Sequence, residues 1–372
     1  MSNMTDAWYQ LKNVDRLDTP ALVFYPDRIK QNISILKSFV TDVGQLRPHV
    51  KTHKCAEVTR LMLGAGITKY KCATIAEAEM LGMCHAPDVL LAYQPVLTKM
   101  HRLSQLIFNY PQTTFSCLAD NVASAAMMSA EAEKLGYRLN VFVDINVGMN
   151  RTGILPDRAF ELYQFCSALP GINVKGLHAY DGHIYKSDLQ KRTQECIEAF
   201  APVQQLIAQI EEAGFSKPVI VAGGTPTFPV FAKMPDVECS PGTFALWDKG
   251  YGALFPDLPF LPAALVITRV ISKPNDYTLC LDMGHKAIAA ENELNKRVEI
   301  LNLPNLYFTG HSEEHLVVKT AGPNSVNIGD VFYGLPVHIC PTCALYDRAG
   351  VVSNGLLTTE WKIIARDRMI NY

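Results

Sequence analysis

Over the first two thirds of the chain, short apolar runs alternate with amphipathic stretches, and the hydrophobic period switches between about two and about 3.6 residues. KYKCAT, DVLLAYQPV, TTFSCLAD, LNVFVDINVG, INVKGLHAYDG, PVIVAGGT and VECSPGT read as strands, most with a helical stretch before or after them. RPHVKTHK ends a further short extended run and is followed by CAEVTRLMLGAG, a helix closed by glycine. About eight strand candidates, most followed by a helix, predict an α/β fold of the (β/α)8 barrel type, with a doubly wound open sheet as the runner-up. After about residue 255 the texture changes to short β-rich runs broken by Pro, Gly and Asn, among them YTLCLDMG, RVEILNLP and DVFYGLPVHIC. The expected organisation is a barrel over residues 20–254 and a mostly β domain over residues 255–372, with residues 1–19 packing against the latter.

Composition narrows the function. A formal net charge of −2 over 372 residues gives no general drive toward nucleic acid or anionic membrane, so neither partner is expected. No window holds about eighteen uninterrupted apolar residues, and MSNMTDAWYQ lacks the order of a signal peptide, which predicts a cytoplasmic protein. Only CPTC brings two of the ten cysteines close together, so most are expected to be reduced core thiols.

The chain nevertheless gathers an arginine, two histidines and two lysines in RPHVKTHK. On a barrel, function sits at the C-terminal ends of the strands, where Lys51 falls. Cations crowded around a lysine partly withdrawn from water favour its neutral amine, so the cluster suggests a lysine that attacks a carbonyl; a solvated basic loop is the plain alternative. AGGT (Ala222 to Thr225) and SPGT (Ser240 to Thr243) fall at the ends of the last two barrel strands. Their glycine N–H groups and threonine hydroxyls would together make a phosphate cradle from Gly223, Gly224, Thr225, Gly242 and Thr243. Strand alternation places Val174, Gly176, His178 and Tyr180 on one face, so His178 and Tyr180 can both look into the barrel mouth. Arg151, in NVGMNRTG, is placed to hold an anion or a phenolate, or to make a structural ion pair. In VHICPTC, His338 and Cys340 at i and i+2 would point the same way on a strand and could share one divalent metal ion. Two ligands suit an open catalytic site rather than a closed structural one.

RPHVKTHK resembles the cofactor-lysine motif of the D-threonine aldolase and D-serine dehydratase family, pyridoxal-phosphate enzymes with an alanine-racemase-type barrel. LDTPALVFYPDRIKQNI, GMNRTG, AGGTPT, SPGTFALWD, LDMGHKA, SEEH and HICPT follow in the family's order over nearly the whole chain. The resemblance implies that Lys51 carries pyridoxal 5'-phosphate, with His49 among the cofactor-contacting positions and Gly223, Gly224, Thr225, Gly242 and Thr243 on its phosphate. It further implies Arg151 near the phenolic oxygen, Tyr180 or His178 facing the pyridine nitrogen, and a divalent ion (Zn or Mn) on His338 and Cys340. The implied activity is a metal-assisted lyase, aldolase or dehydratase, acting on small D-3-hydroxy amino acids as a homodimer. A racemase or a non-catalytic cofactor carrier are the alternatives.

Overall fold

The computed structural model describes residues 7–372, and the chain divides into two compact units. One comprises residues 34–51, 59–242 and 367–372; the other comprises the N-terminal residues up to Ile33, Thr52–Val58 and Thr243–Arg366. The expected packing of residues 1–6 lies outside the described residues. Strand β1 (Ala21–Phe24) belongs to the second unit. The seven strands of the first are β2 (Lys69–Cys72), β3 (Asp88–Leu91), β4 (Thr114–Ala119), β5 (Leu139–Asp144), β6 (Ile172–Ala179), β7 (Val219–Ala222) and β8 (Val237–Cys239).

These seven pair in sequence order, every neighbour parallel. The open edges of β2 and β8 are joined by residues 46–50. The N–H groups of Arg47 and His49 donate to the Cys239 and Pro241 carbonyls, and those of Val50 and Lys71 donate to the Lys71 and Pro48 carbonyls, all at 2.8 to 2.9 Å. Two isolated bridges, Leu46 to Cys239 and His49 to Lys71, are all the pairing this segment makes, so the ring has seven full strands and one short eighth member.

Inward-facing side chains stack in layers, as alternation along parallel strands requires. At the floor, Arg47 grips both Asp88 oxygens at 2.7 and 3.1 Å and Glu238 at 2.7 Å, and Lys69 also reaches Glu238. Above it, Leu90, Leu118, Phe142 and Val221 form a buried apolar plug. The next inward positions face the mouth.

The second unit carries a nine-stranded sheet. Its remaining strands are β9 (Ala264–Asn275), β10 (Thr278–Leu281), β11 (Val298–Ile300), β12 (Tyr307–His311), β13 (Leu316–Lys319), β14 (Val331–Pro336), β15 (Arg348–Ser353) and β16 (Leu356–Lys362). β1 lies antiparallel to β9 and parallel to β15, the sheet's one parallel pair. Leu11, Val23, Tyr25, Leu265, Ile267, Tyr333, Leu335 and Val352 form its buried core. The segment ahead of β1 is tied in by the Leu11 N–H to the Tyr333 hydroxyl at 3.1 Å and by Asn13, which bonds Leu357 through both ends of its amide. Residues 7–19 thus complete the sheet's apolar face rather than trail from it. All ten cysteines are free, and eight are buried.

Candidate active site

The barrel mouth opens into a cavity of about 590 Å³, within the range of small-molecule sites. His49, Lys51, Arg151, His178 and Tyr180, named above from sequence, all line it. Lys51 follows the short eighth member, where the His49 ring turns back so that Nδ1 accepts the Lys51 N–H at 3.2 Å. Its amine is exposed toward the cavity.

The basic cluster does not gather around that amine, and this corrects the expectation from RPHVKTHK. Arg47 is spent on the floor carboxylates. His53 is fully buried among residues of the other unit, where its Nδ1 bonds at Cys55 and burial lowers it to about 3. Alternation along an extended segment sends Arg47, His49 and Lys51 to the same side but to successive layers.

The cation beside Lys51 in the cavity is instead Lys71, on β2, which sequence reasoning missed. It is 3% exposed, and its Nζ lies 5.0 Å from the Tyr180 ring centroid. Burial and then the Lys51 charge lower it to about 7, against the pull of Asp144 and Asp181. Arg151 approaches the same Tyr180 ring, 5.2 Å from centroid to guanidinium carbon.

His178 stands at the C-terminal end of β6, opposite Asp144 of β5 in register. Its Nδ1–H donates to Asp144 Oδ1 at 2.6 Å. Although burial pushes the Asp144 carboxyl upward, hydrogen bonds from His178, Thr152 and Gln94 hold it below the usual range. Burial and the Lys71 charge keep the imidazole neutral. With the proton fixed on Nδ1 by the carboxylate, Nε2 presents a lone pair, and it is buried without a protein partner among the described residues. Asp144 and Gln94 were also missed in the sequence; the signal available was the inward parity that Asp144 shares with Phe142.

The turns after β7 and β8 are glycine-built. Gly223 has φ of 75°, and a Cβ there would meet the Phe231 ring at 2.8 Å; at Gly224 it would meet the Tyr180 ring at 3.0 Å. Gly242 N–H donates to the Thr225 hydroxyl and Gly224 N–H to the Thr227 hydroxyl, both at 3.0 Å, so threonine hydroxyls lace each turn. Thr227 in turn donates to the buried Asp181 at 2.9 Å.

Thr243, His338 and Cys340 belong to the β-rich unit. Here the strand reading of VHICPTC is corrected: β14 ends at Pro336, His338 is the N-cap of the short helix Ile339–Leu345, and Cys340 lies in its first turn. The two still meet, because a cap and the first turn fold onto each other. Cys340, and then Glu291, push the imidazole up to about 9 against its own burial. The His338 Nδ1–H donates to Glu291 Oε1 at 2.5 Å, which orients the ring with Nε2 on its other side. Cys340 Sγ lies 3.0 Å from the Thr52 hydroxyl and 3.9 Å from that of Thr243. Asp248, raised to about 6 by burial, accepts the Ile339 N–H at 3.0 Å. Among the described residues no group of three or more His, Cys, Asp or Glu side chains forms a metal cage. His338 and Cys340 alone are too few for a closed structural centre.

A parallel barrel with a lysine at its C-terminal rim, carried in one chain with a mostly β unit, defines the barrel enzymes of the alanine racemase type. The chain belongs to this family: residues 25–245 match "Alanine racemase, N-terminal domain", and residues 263–352 match "Putative serine dehydratase domain". It is similar to a D-threonine aldolase of Arthrobacter sp, 30% identical over 94% of this chain and 93% of that one. It is similar too to a 3-hydroxy-D-aspartate aldolase of Paracoccus denitrificans (strain Pd 1222), 27% identical over 95% and 93%. Among solved structures, a D-threonine aldolase from Filomicrobium marinum superposes with a TM-score of 0.86 at 24% identity, over 97% of this chain and 98% of that one. The chain is accordingly a pyridoxal-phosphate-dependent lyase.

The cavity fits that cofactor. It offers primary amines on its wall and the unpartnered His178 Nε2.

Proposed function

We propose that this lyase acts on D-3-hydroxy amino acids with the help of a divalent ion. The observation that carries the substrate class is the likeness to a D-threonine aldolase along nearly the whole chain. Pyridoxal phosphate, when bound, supplies an electrophilic carbonyl and a conjugated sink for negative charge at the substrate's α-carbon. Lys51 holds the cofactor covalently and, once displaced by the substrate's amine, is free to move a proton at the α-carbon. Arg151 sets its charge near the phenolic oxygen. Gly223, Gly224, Thr225, Gly242 and Thr243 would hold the phosphate, which the Gly224 and Gly242 N–H groups reach only by giving up their threonine hydroxyl acceptors. His178 presents its Nε2 lone pair to the ring nitrogen while Asp144 fixes the tautomer, and Tyr180 supports a ring face.

His338 and Cys340 hold the divalent ion, Zn or Mn, and Glu291 orients the imidazole so that Nε2 ligates. An ion held there would supply Lewis acidity for a substrate oxygen. Loss of the α-proton and the hydroxyl, together one water, gives an enamine whose imine form takes up water to release a keto acid and ammonia; loss of the hydroxyl proton, cleavage of the Cα–Cβ bond and reprotonation of Cα gives glycine and an aldehyde. We also propose a homodimer, which light scattering on the purified protein tests.

The deciding experiment incubates the purified protein with D-threonine, D-serine, 3-hydroxy-D-aspartate and their L-enantiomers, with and without chelator, and identifies products. Glycine with an aldehyde, or a keto acid with ammonia, from D-substrates alone supports the reading. Enantiomer exchange without cleavage, insensitive to chelator, replaces it with a racemase.

A further inference from the structure

Lys71 is a buried cation of the barrel mouth for which the reading above has no use. It sits on β2 with 3% of its surface exposed, and its chain runs up the inner wall from between the floor cluster and the mouth. Its ammonium makes no hydrogen bond or ion pair with a protein group among the described residues; it lies 5.0 Å from the Tyr180 ring centroid. A buried ammonium without a counter-ion is costly, and proteins resolve that cost by pairing, by deprotonation or by a ligand anion. Lys69, two residues earlier on the same face, shows the paired solution, with Glu238 and the Gly44 carbonyl. Lys71 opens instead into the 590 Å³ cavity. The charges that act on it are Lys51 and Arg151, which oppose its protonation, and Asp144 and Asp181, which favour it. Both of these carboxylates are already engaged, Asp144 by His178 and Gln94 and Asp181 by Thr227.

We propose that Lys71 is an oxyanion-binding residue of the lyase, completing its ion pair with an anionic oxygen that enters the cavity. Two sources share that chemistry: the phenolic oxygen of the cofactor and a carboxylate of the substrate. Arg151, in the loop after β5, flanks the same Tyr180 ring, so the two cations converge on one region of the mouth. Lowered to about 7 by burial, Lys71 is poised to take up a proton when the anion arrives.

The test compares the Lys71→Met and Lys71→Arg variants with the unaltered holoenzyme, and its substrate arm rests on the D-3-hydroxy amino acid reading. If the cofactor oxygen is the partner, the apparent pKa of the cofactor's visible band, read without substrate, moves up by at least about one unit in Lys71→Met and is largely restored in Lys71→Arg. If the substrate carboxylate is the partner, that spectrum is unchanged while KM rises at least about tenfold with kcat nearly constant. Amine labelling of the unaltered protein, read by mass spectrometry, avoids any folding defect: Lys71 should label more slowly with cofactor or substrate bound. Equal labelling in all states, or variants matching the unaltered protein in both spectrum and KM, overturns the proposal. A failed substrate class shows separately, as no turnover by the unaltered protein while cofactor protection of Lys71 persists.

Discussion

At the barrel mouth Lys71 and His178 are each 3% exposed, whereas at the start of helix Ile339–Leu345 the side chains of His338 and Glu291 are 47% and 44% exposed. Both places set a histidine against a carboxylate, Asp144 at 2.6 Å and Glu291 at 2.5 Å. Solvent separates their consequences. In the mouth, burial outweighs the carboxylate and keeps His178 neutral, so a ligand finds an unscreened lone pair and a partly neutral lysine. At the helix start, Cys340 and Glu291 outweigh burial and His338 is raised. A half-exposed ion pair contributes little to stability. Its use is orientation: one nitrogen held, the other offered. The mouth is built to bind an organic group by exclusion of water; the corner, under the proposal above, would hold a small ion.

The widest separation between the two regions should come from Lys51→Ala. Turnover is expected to fall by at least about a thousandfold, since binding and proton transfer both lose their group, with the cofactor's visible band lost and circular dichroism unchanged. Cys340→Ala should cut turnover by about a hundredfold to a thousandfold through loss of the Lewis acid, while leaving that band intact. Full activity after exhaustive chelation would break the distinction, leaving the corner without a catalytic part. Asp144→Asn should cost about ten- to a hundredfold in kcat by unfixing the His178 tautomer, and a rate equal to the unaltered enzyme's would remove His178 from the mechanism.

The smallest effect concerns stability. Lys71 titrates near 7 in the fold and near 10.5 when unfolded, so between those values the unfolded chain binds the extra proton. The penalty for burying the charge is full below about pH 7 and gone above about 10.5. The cofactor-free protein should therefore gain stability with rising pH across this window, on the order of a few kcal/mol, and Lys71→Met should lose that slope. Equal slopes in denaturant titrations of the two proteins would contradict the assignment.

The barrel was legible because parallel strands obey a period of two between glycine-rich turns, and the rim residues Lys51, His178 and Tyr180 follow from that parity. The eighth member was legible as an extended run although it makes only isolated bridges. Partnership was not legible. Arg47 finds Asp88 and Glu238 at 41 and 191 residues' separation, and no local pattern carries such pairings. The same holds for Asp144 with His178 and for Glu291 with His338. The helix start at His338 had a local signal: Pro341 falls in a first turn, where a missing N–H leaves no bond unmade. Lys71 shares an inward face with Lys69 in KYKCAT, and a lysine facing a barrel interior is itself a sign of a buried counter-charge, met at Lys69 by Glu238, or of a ligand anion.

Lys71 lines the same cavity as Lys51, so the central claim is which of the two carries the cofactor. Borohydride reduction of the holoenzyme, followed by proteolysis and mass spectrometry, reads this directly. The account predicts the pyridoxyl mass increment on the peptide containing Lys51 and on no other. The increment on Lys71, or on neither lysine, would contradict it.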